Sequence, residues 1–532
     1  MSAAAPEVVI IGSGPAGVSA AWPLVEAGCR VLMLEATTGR VPEPDPERPS
    51  LRELRRDAGG WRHLLGDDLR GLRMMTEVSP KLRMIPDAAF LERYQRANHL
   101  EPDGFAAIGI LARGGLSNFW GAVAGAYDAG DLAGWPIGPD DLAPAYRAVA
   151  RRIGISGTED DDMAAAHGLG LPLQPPLPLS PLAERVLERY HRQRGSLSLR
   201  LGRNRSAVLT QPLDGRRDCS LSGACMWGCA RGAVYSATAD LERLRAHSAF
   251  TLREGFLVTA LSTTGDSYLI EGRDSRSGAP LQLTAPRVVL AAGALPSTRL
   301  ALQCLGRYDE ALPLQNCPAL ALALAVPAHL GRGLPETGFG MAQLAFEETI
   351  GESGDIAHGL LYGAEAMAAP DLSAHMPLTR PGARALLRSL LPALLIGLVY
   401  LPGRYSANRV RLHRGAEPSS DRLEITGGVS PEHAAAYQAL VARLTRTFRR
   451  LGAYLLPGSA KPYPPGAEIH YGASLPMGGI TSAAAEIIGR PGLFVADGAS
   501  LPGLAAKHHT FTVMANAHRL GAGLASRLRP RP

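Results

Sequence analysis

The sequence predicts an α/β protein in two parts: a Rossmann-like nucleotide-binding domain, and a second α+β domain built on an antiparallel sheet. Three observations carry this. An apolar run, Val8–Ile11, leads into Gly12-Ser-Gly14-Pro-Ala16-Gly17, then an apolar helix and a second strand, Arg30–Leu34, closed by Glu35. Far downstream, Arg287–Leu290 runs into Ala-Ala-Gly293-Ala and another helical stretch, a second strand–glycine–helix element. Between about residues 310 and 460 the pattern changes to alternating apolar segments, such as Ala319–Val326 and Arg409–His413, which read as an antiparallel sheet.

The first element matches G-x-G-x-x-G in its proper setting, between a strand and a helix. Gly12 allows the tight turn, Gly14 lets backbone approach a diphosphate, and Gly17 lets the helix pack close to the strand. The helix N-terminus offers free N–H groups and a positive dipole end to the phosphates. Glu35, 23 residues after Gly12, is placed to accept hydrogen bonds from a ribose.

Composition narrows the class. With 532 residues, 46% hydrophobic, the chain can bury more than one core. Lys plus Arg total 55 against 49 Asp plus Glu, and the net +6 is spread along the chain, so no nucleic-acid partner is expected. Six cysteines in so long a chain do not form a disulfide scaffold. The N-terminus has no basic stretch followed by a long apolar one, so no export signal is read and a cytoplasmic location is expected. The longest uncharged apolar run, Ser389–Gly403, is interrupted by Pro392 and Gly397 and falls short of the ~18–20 residues of a membrane-spanning helix. It reads as a buried strand or helix, with peripheral contact to a membrane as the second reading.

Taken in order, Ala36–Leu111 is irregular and charged, with a loop at Glu43–Ser50 and a broken helical pattern over Leu51–Leu72. Next comes Gly114-Gly115-Leu-Ser117-Asn118-Phe119-Trp120-Gly121. Here the chain resembles the glucose–methanol–choline (GMC) oxidoreductases, flavoproteins in which such a loop lies against the flavin. The resemblance implies an FAD-binding Rossmann-like domain. It also implies cofactor contacts from Gly12, Gly14, Ala16, Gly17, Glu35, Gly114, Gly115, Ser117, Asn118, Val258, Gly293, Asp497 and Thr510. Related pyranose oxidases carry a flavin-linked histidine where this chain has Phe119, so a non-covalent FAD is implied. It extends through Trp135-Pro136, Tyr146 and the Ala-Ala-Gly293-Ala turn.

The C-terminal block holds Glu468-Ile-His470-Tyr-Gly472, Asp497-Gly498, and Lys507-His508-His509-Thr510, with 39 residues from His470 to His509. Its order is similar to the closing segment of GMC oxidoreductases. By that resemblance His470 is the catalytic base, His509 orients the substrate hydroxyl, and Asp497 contacts the cofactor; His508 leaves a one-residue ambiguity. A histidine suits the task because its ordinary pKa lies near working pH.

Cys219, Cys225 and Cys229 lie within eleven residues. Three thiolates on a glycine-containing loop could hold an iron–sulfur cluster or another soft metal; a structural loop of small residues is the alternative. The spacing is similar to that of sugar dehydrogenases of the family with a three-iron cluster. A cluster would carry electrons to a quinone or protein acceptor, making the enzyme a dehydrogenase. Elsewhere, Leu182–Gln193 reads as an amphipathic helix and Phe250–Asp274 as a hairpin. Ser430 and Pro431 open a longer one, with Arg443, Arg446, Arg449 and Arg450 on its polar side. The expected cofactor domain comprises 1–130, 216–310 and 462–532, and the substrate domain 131–215 and 311–461. The whole points to oxidation of a CH–OH group, in an alcohol, sugar, sterol or secondary metabolite. A lyase or isomerase of the same fold, or a non-catalytic flavin-binding partner protein, is the alternative.

Overall fold

The computed structural model describes residues 5–37, 45–72, 80–83, 85, 89–351, 354–367, 372–373, 376 and 378–529. Residues 1–4, on which part of the targeting reading rests, lie outside these, as do Glu43 and Pro44 of the loop read at Glu43–Ser50.

Five strands form a parallel sheet in the order Leu493–Val495, Val288–Leu290, Val8–Ile11, Val31–Glu35, Phe250–Glu254. Val8–Ile11 lies at the centre and all four residues are buried, as a strand covered on both faces demands. Phe250–Glu254, which the sequence suggests as one arm of a hairpin, is the edge strand of this sheet. Gly255, at φ 76°, turns the chain sharply, and the hairpin begins after it, Phe256–Thr264 against Ser267–Asp274. Pro280–Ala285 completes that small antiparallel sheet.

The helix Pro15–Glu26 follows the first strand and packs on the last helix, Thr510–Leu528. A Cβ on Gly521 would lie 2.2 Å from the Ala20 carbonyl oxygen, so the two helices meet backbone to backbone. A third helix, Pro139–Ile153, comes from the stretch read as substrate-side but packs on these two. Tyr146 Oη lies 2.7 Å from Thr512 Oγ1, and Arg152 donates to Asp240 at 2.8 Å and to Ser19 at 2.7 Å.

The second large sheet is antiparallel, in the order Tyr454–Leu455, Ala319–Ala325, Leu394–Tyr400, Asp355–Gly363, Leu344–Ile350, Arg200–Arg203. The apolar Ser389–Gly403 run supplies one of its central strands. Alternate residues go to opposite faces. Leu320, Leu322, Phe346, Leu361 and Val399 pack on the helices Pro181–Gln193 and His433–Arg450. Ala319, Ala345, Leu360, Tyr362 and Tyr400 join the core shared with the cofactor-side helices. Asn408–His413 belongs to another sheet, between Leu312–Asn316 and Arg422–Thr426. Ala319–Ala325 and Asn408–His413 are therefore not neighbours.

The helix expected from Pro431 starts at His433, with Glu432 rather than Ser430 at its N-cap. Two of its arginines are engaged within the protein: Arg443 lies 3.6 Å from buried Glu348, and Arg450 donates to Ser196. Among the described residues no helix is long and apolar enough to cross a membrane.

Candidate active site

The first turn is shaped by its glycines. Gly12 sits at φ 104°, where a Cβ would fall 2.4 Å from the Ala291 carbonyl oxygen; a Cβ on Gly17 would fall 2.0 Å from that of Gly12. At Gly14 a Cβ would meet nothing within 4 Å. Close packing thus explains two of the glycines, and open space in front of the helix N-terminus explains the third. A diphosphate fits that space and the free N–H groups around it. Ala16 is buried in the first turn of the helix.

Glu35 is buried at the end of the second strand. It accepts hydrogen bonds from the Ser13 amide at 3.2 Å, the Ser13 hydroxyl, and Thr37 Oγ1 at 3.2 Å. Burial pushes its carboxyl pKa up. Ser13 Oγ also accepts from the Gly114 amide at 3.1 Å, tying the first turn to the second glycine motif. Gly114 and Gly115 lie at φ 76° and 54°, and the atom nearest a Cβ on Gly115 would be Gly14 Cα, at 3.8 Å. The two glycine motifs thus approach one another closely at Gly14 and Gly115.

Ser117 and Asn118 turn their side chains into the protein. Ser117 Oγ donates to the Gly114 carbonyl and accepts from the Ala237 amide; Asn118 Nδ2 donates to the Arg113 and Gly115 carbonyls. They shape the loop. Asp497 joins the two other motifs: its Oδ2 accepts from the Gly293 amide at 3.0 Å and from Ser297 Oγ at 2.5 Å. Burial pushes its carboxyl up to about 6. Val258 lies in the Phe256–Thr264 strand beside a bulge opposite Gly272, and Thr510 opens the last helix. Phe119 packs in an apolar cluster with Leu82, Ile85, Phe90 and Ile108.

The histidines converge. The His470 ring lies 4.4 Å from His508, 5.5 Å from His509 and 5.0 Å from Tyr400, centroid to centroid and all edge-on. Both candidates of the His508–His509 pair therefore reach His470. The backbone around His470 is strained: Ile469, a β-branched residue, has φ 64°, and Ala473 has φ 59°. Burial, reinforced by the neighbouring imidazoles, holds His470 well below the ordinary imidazole range, and burial alone lowers His509 to about 4. All are neutral at neutral pH and can accept a proton.

Two further groups frame this site, one from each of the two segments whose histidines meet. Glu468 accepts from Asn316 Nδ2 at 2.6 Å, and Asn316 Oδ1 accepts from Asn408 Nδ2 at 2.7 Å. Its Oε2 has no partner among the described residues, and burial pushes its carboxyl up to about 8. Lys507 is buried between Asp128 at 2.7 Å, Asp131 at 2.6 Å and Glu347 at 3.6 Å, anchoring the segment that presents His508 and His509. The signals were a glutamate two residues before the histidine and a lysine just ahead of the His pair.

Cys219, Cys225 and Cys229 are free thiols on a loop held by Arg48, which donates to the Trp227 and Gly228 carbonyls. Burial pushes the Cys219 thiol up to about 12 and raises Cys225. Among the described residues no three His, Cys, Asp or Glu side chains are grouped to hold a metal ion. The iron–sulfur reading therefore finds no assembled ligand set.

Fold and groove define a nucleotide-binding flavoprotein, and comparison with known proteins agrees. Residues 5–52 match an FAD binding domain family. The chain is 25% identical over 305 residues to the 2-methyl-1,2-propanediol dehydrogenase of Mycolicibacterium austroafricanum, covering 56% of this chain and 50% of that protein. It is 30% identical over 259 residues to the paromamine 6'-oxidase of Streptomyces fradiae, covering 47% and 40%. The chain thus spans half or less of the length of these two relatives. Pyridoxine 4-oxidase from Mesorbium loti shares the fold at a TM-score of 0.60 with 19% identity, covering 98% of this chain and 99% of that one. A formate oxidase of Aspergillus oryzae shares it at 0.61 with 13% identity and 98% of both chains. The chain therefore carries an FAD-binding domain and shares the fold of these oxidases.

Proposed function

We propose that the chain is an FAD-dependent oxidoreductase that oxidises the CH–OH group of an alcohol, with His470 as the base. The observation that carries this is the meeting of His470, His508 and His509, all neutral, with His509 against Gly498, the neighbour of Asp497. FAD, held non-covalently by the Gly12–Gly17 turn, Glu35, the Gly114–Gly115 loop, Gly293 and Asp497, supplies the hydride acceptor. The chain's own residues do the rest. His470 accepts the hydroxyl proton as the carbon–hydrogen bond breaks. His509 holds the hydroxyl oxygen. The N-terminal end of the Thr510–Leu528 helix offers positive potential to negative charge developing beside it.

The name of the propanediol dehydrogenase supports an alcohol as substrate. Oxygen and a quinone or protein acceptor are the two arms of the acceptor test. The holoenzyme is mixed anaerobically with 2-methyl-1,2-propanediol, benzyl alcohol and pyridoxine, and flavin absorbance is followed. Bleaching by any of them is expected; re-oxidation by air or by a soluble quinone then identifies the acceptor. A flavin that stays oxidised with every alcohol of a wider panel rules the reading out.

A further inference from the structure

We propose that a file of buried histidines, His470–His508–His358–His167, together with Glu347, conducts protons between the flavin site and the surface. Oxidising an alcohol leaves one proton on His470 and sends the other hydrogen, with two electrons, to the flavin. His470 cannot act again until that proton leaves. With oxygen or a quinone the proton can leave on the reduced acceptor; with an acceptor that takes electrons alone it must leave through the protein, and the structure offers a route.

His358 lies 6.3 Å from His508 and 5.8 Å from His167, centroid to centroid. His358 and His167 are each only 1% exposed. Among the described residues, both ring nitrogens of His358, Nε2 of His167 and Nδ1 of His508 have no hydrogen-bond partner. Buried polar atoms are seldom left so, and here they follow one another in a line. A neutral imidazole accepts on one nitrogen and donates from the other, so neighbours bridged directly or by one water pass a proton without net charge staying behind. Burial keeps His508, His358 and His167 below the ordinary imidazole range, and Lys507 lowers His358 and His167 further, as Arg205 does His167.

The sheet register supplies the outlet. His358 stands opposite Tyr400 on one side and Glu347 on the other, and Glu347 stands opposite Arg200. Directly opposed residues share a face, so Tyr400, His358, Glu347 and Arg200 form one polar row across four strands. The row begins against His470, whose ring is 5.0 Å from Tyr400. It ends at the Glu347–Arg200 ion pair, where Glu347 is 3% and Arg200 47% exposed. Lys507 branches from Glu347 to Asp128, which is 40% exposed.

The test involves no alcohol; it rests only on FAD in the groove with His470 beside it. Photoreduced holoenzyme is mixed anaerobically with two equivalents of ferricenium, in weak buffer with a pH-indicator dye. Ferricenium takes the two electrons and no proton, so one proton must reach solvent for each flavin re-oxidised. In the wild type, dye and flavin signals coincide. In His358→Phe the flavin signal keeps its rate while the dye lags by roughly tenfold or more. Glu347→Gln, which preserves shape and still contacts Arg200, lags in the same sense. Dye and flavin signals in step in both variants overturn the relay.

Discussion

Replacing Glu468 by Gln tests how deeply the catalytic strand is desolvated. Glutamine still offers an oxygen to Asn316 Nδ2 but does not titrate. In the folded protein Glu468 is pushed up to about 8 from its ordinary 4.5. Between these values the folded state keeps a proton that the unfolded state has lost. The stability this group contributes is therefore complete below pH 4.5 and is lost as pH rises towards 8. The loss works out at ~1 kcal/mol at pH 5 and ~3 kcal/mol at pH 7, levelling off near ~5 kcal/mol above pH 8. The variant escapes it. Its stability relative to wild type should rise by ~2–3 kcal/mol from pH 5 to pH 7. Denaturant unfolding of the two holoenzymes at pH 5, 6 and 7, followed by circular dichroism and flavin fluorescence, measures this gap. A gap that does not change with pH means Glu468 ionises normally, and the picture of a dry carboxyl beside His470 fails.

His470→Ala should slow alcohol-driven flavin reduction by ~10²-fold or more with FAD still bound; stopped-flow bleaching at the wild-type rate removes His470 as the base. Because burial holds His470, His508 and His509 below the ordinary imidazole range, that rate should change by less than about twofold between pH 6 and 7.5. An inflection near the ordinary histidine value speaks against a buried neutral base. Gly14→Val adds a side chain into open space, so the apoprotein should keep its circular dichroism and lose FAD; Gly17→Val strikes the Gly12 carbonyl and should lower the melting temperature as well. Lys507→Met leaves Asp131 without its cation and Glu347 with Arg200 alone, and should cost ~3–5 kcal/mol in denaturant titration; an unchanged midpoint shows that the carboxylates protonate at no cost.

What could be read directly was local. The Gly12–Gly17 turn and the Gly293 turn each declare themselves in a few consecutive residues, because strand, turn and helix are neighbours along the chain. Phe250–Glu254 was misread because its partner, Val31–Glu35, is some two hundred residues away and leaves no mark on its own pattern. The same holds within the site. Asn316 and Asn408 reach Glu468 through sheet pairing. His358 comes to His508 through the register with Leu394–Tyr400. Ser117 and Asn118 have the residue types of ligands, yet whether a small polar side chain turns toward groove or loop depends on Ala237 and Ser236, far along the chain.

The parallel sheet also has a consequence for how the protein is made. Its strands come from both ends of the chain, with Val288–Leu290 lying between Val8–Ile11 and Leu493–Val495. On the ribosome, the opening helix waits for Gly521, more than five hundred residues later, before its apolar face is covered. The antiparallel sheet, drawn from residues 200–462, can close first. The nucleotide-binding turn is thus synthesised well before the segments that secure it. This is the order in which long-range pairing is slow and exposed apolar surface invites aggregation. Supplying flavin during expression should raise the soluble yield more than supplying it after lysis.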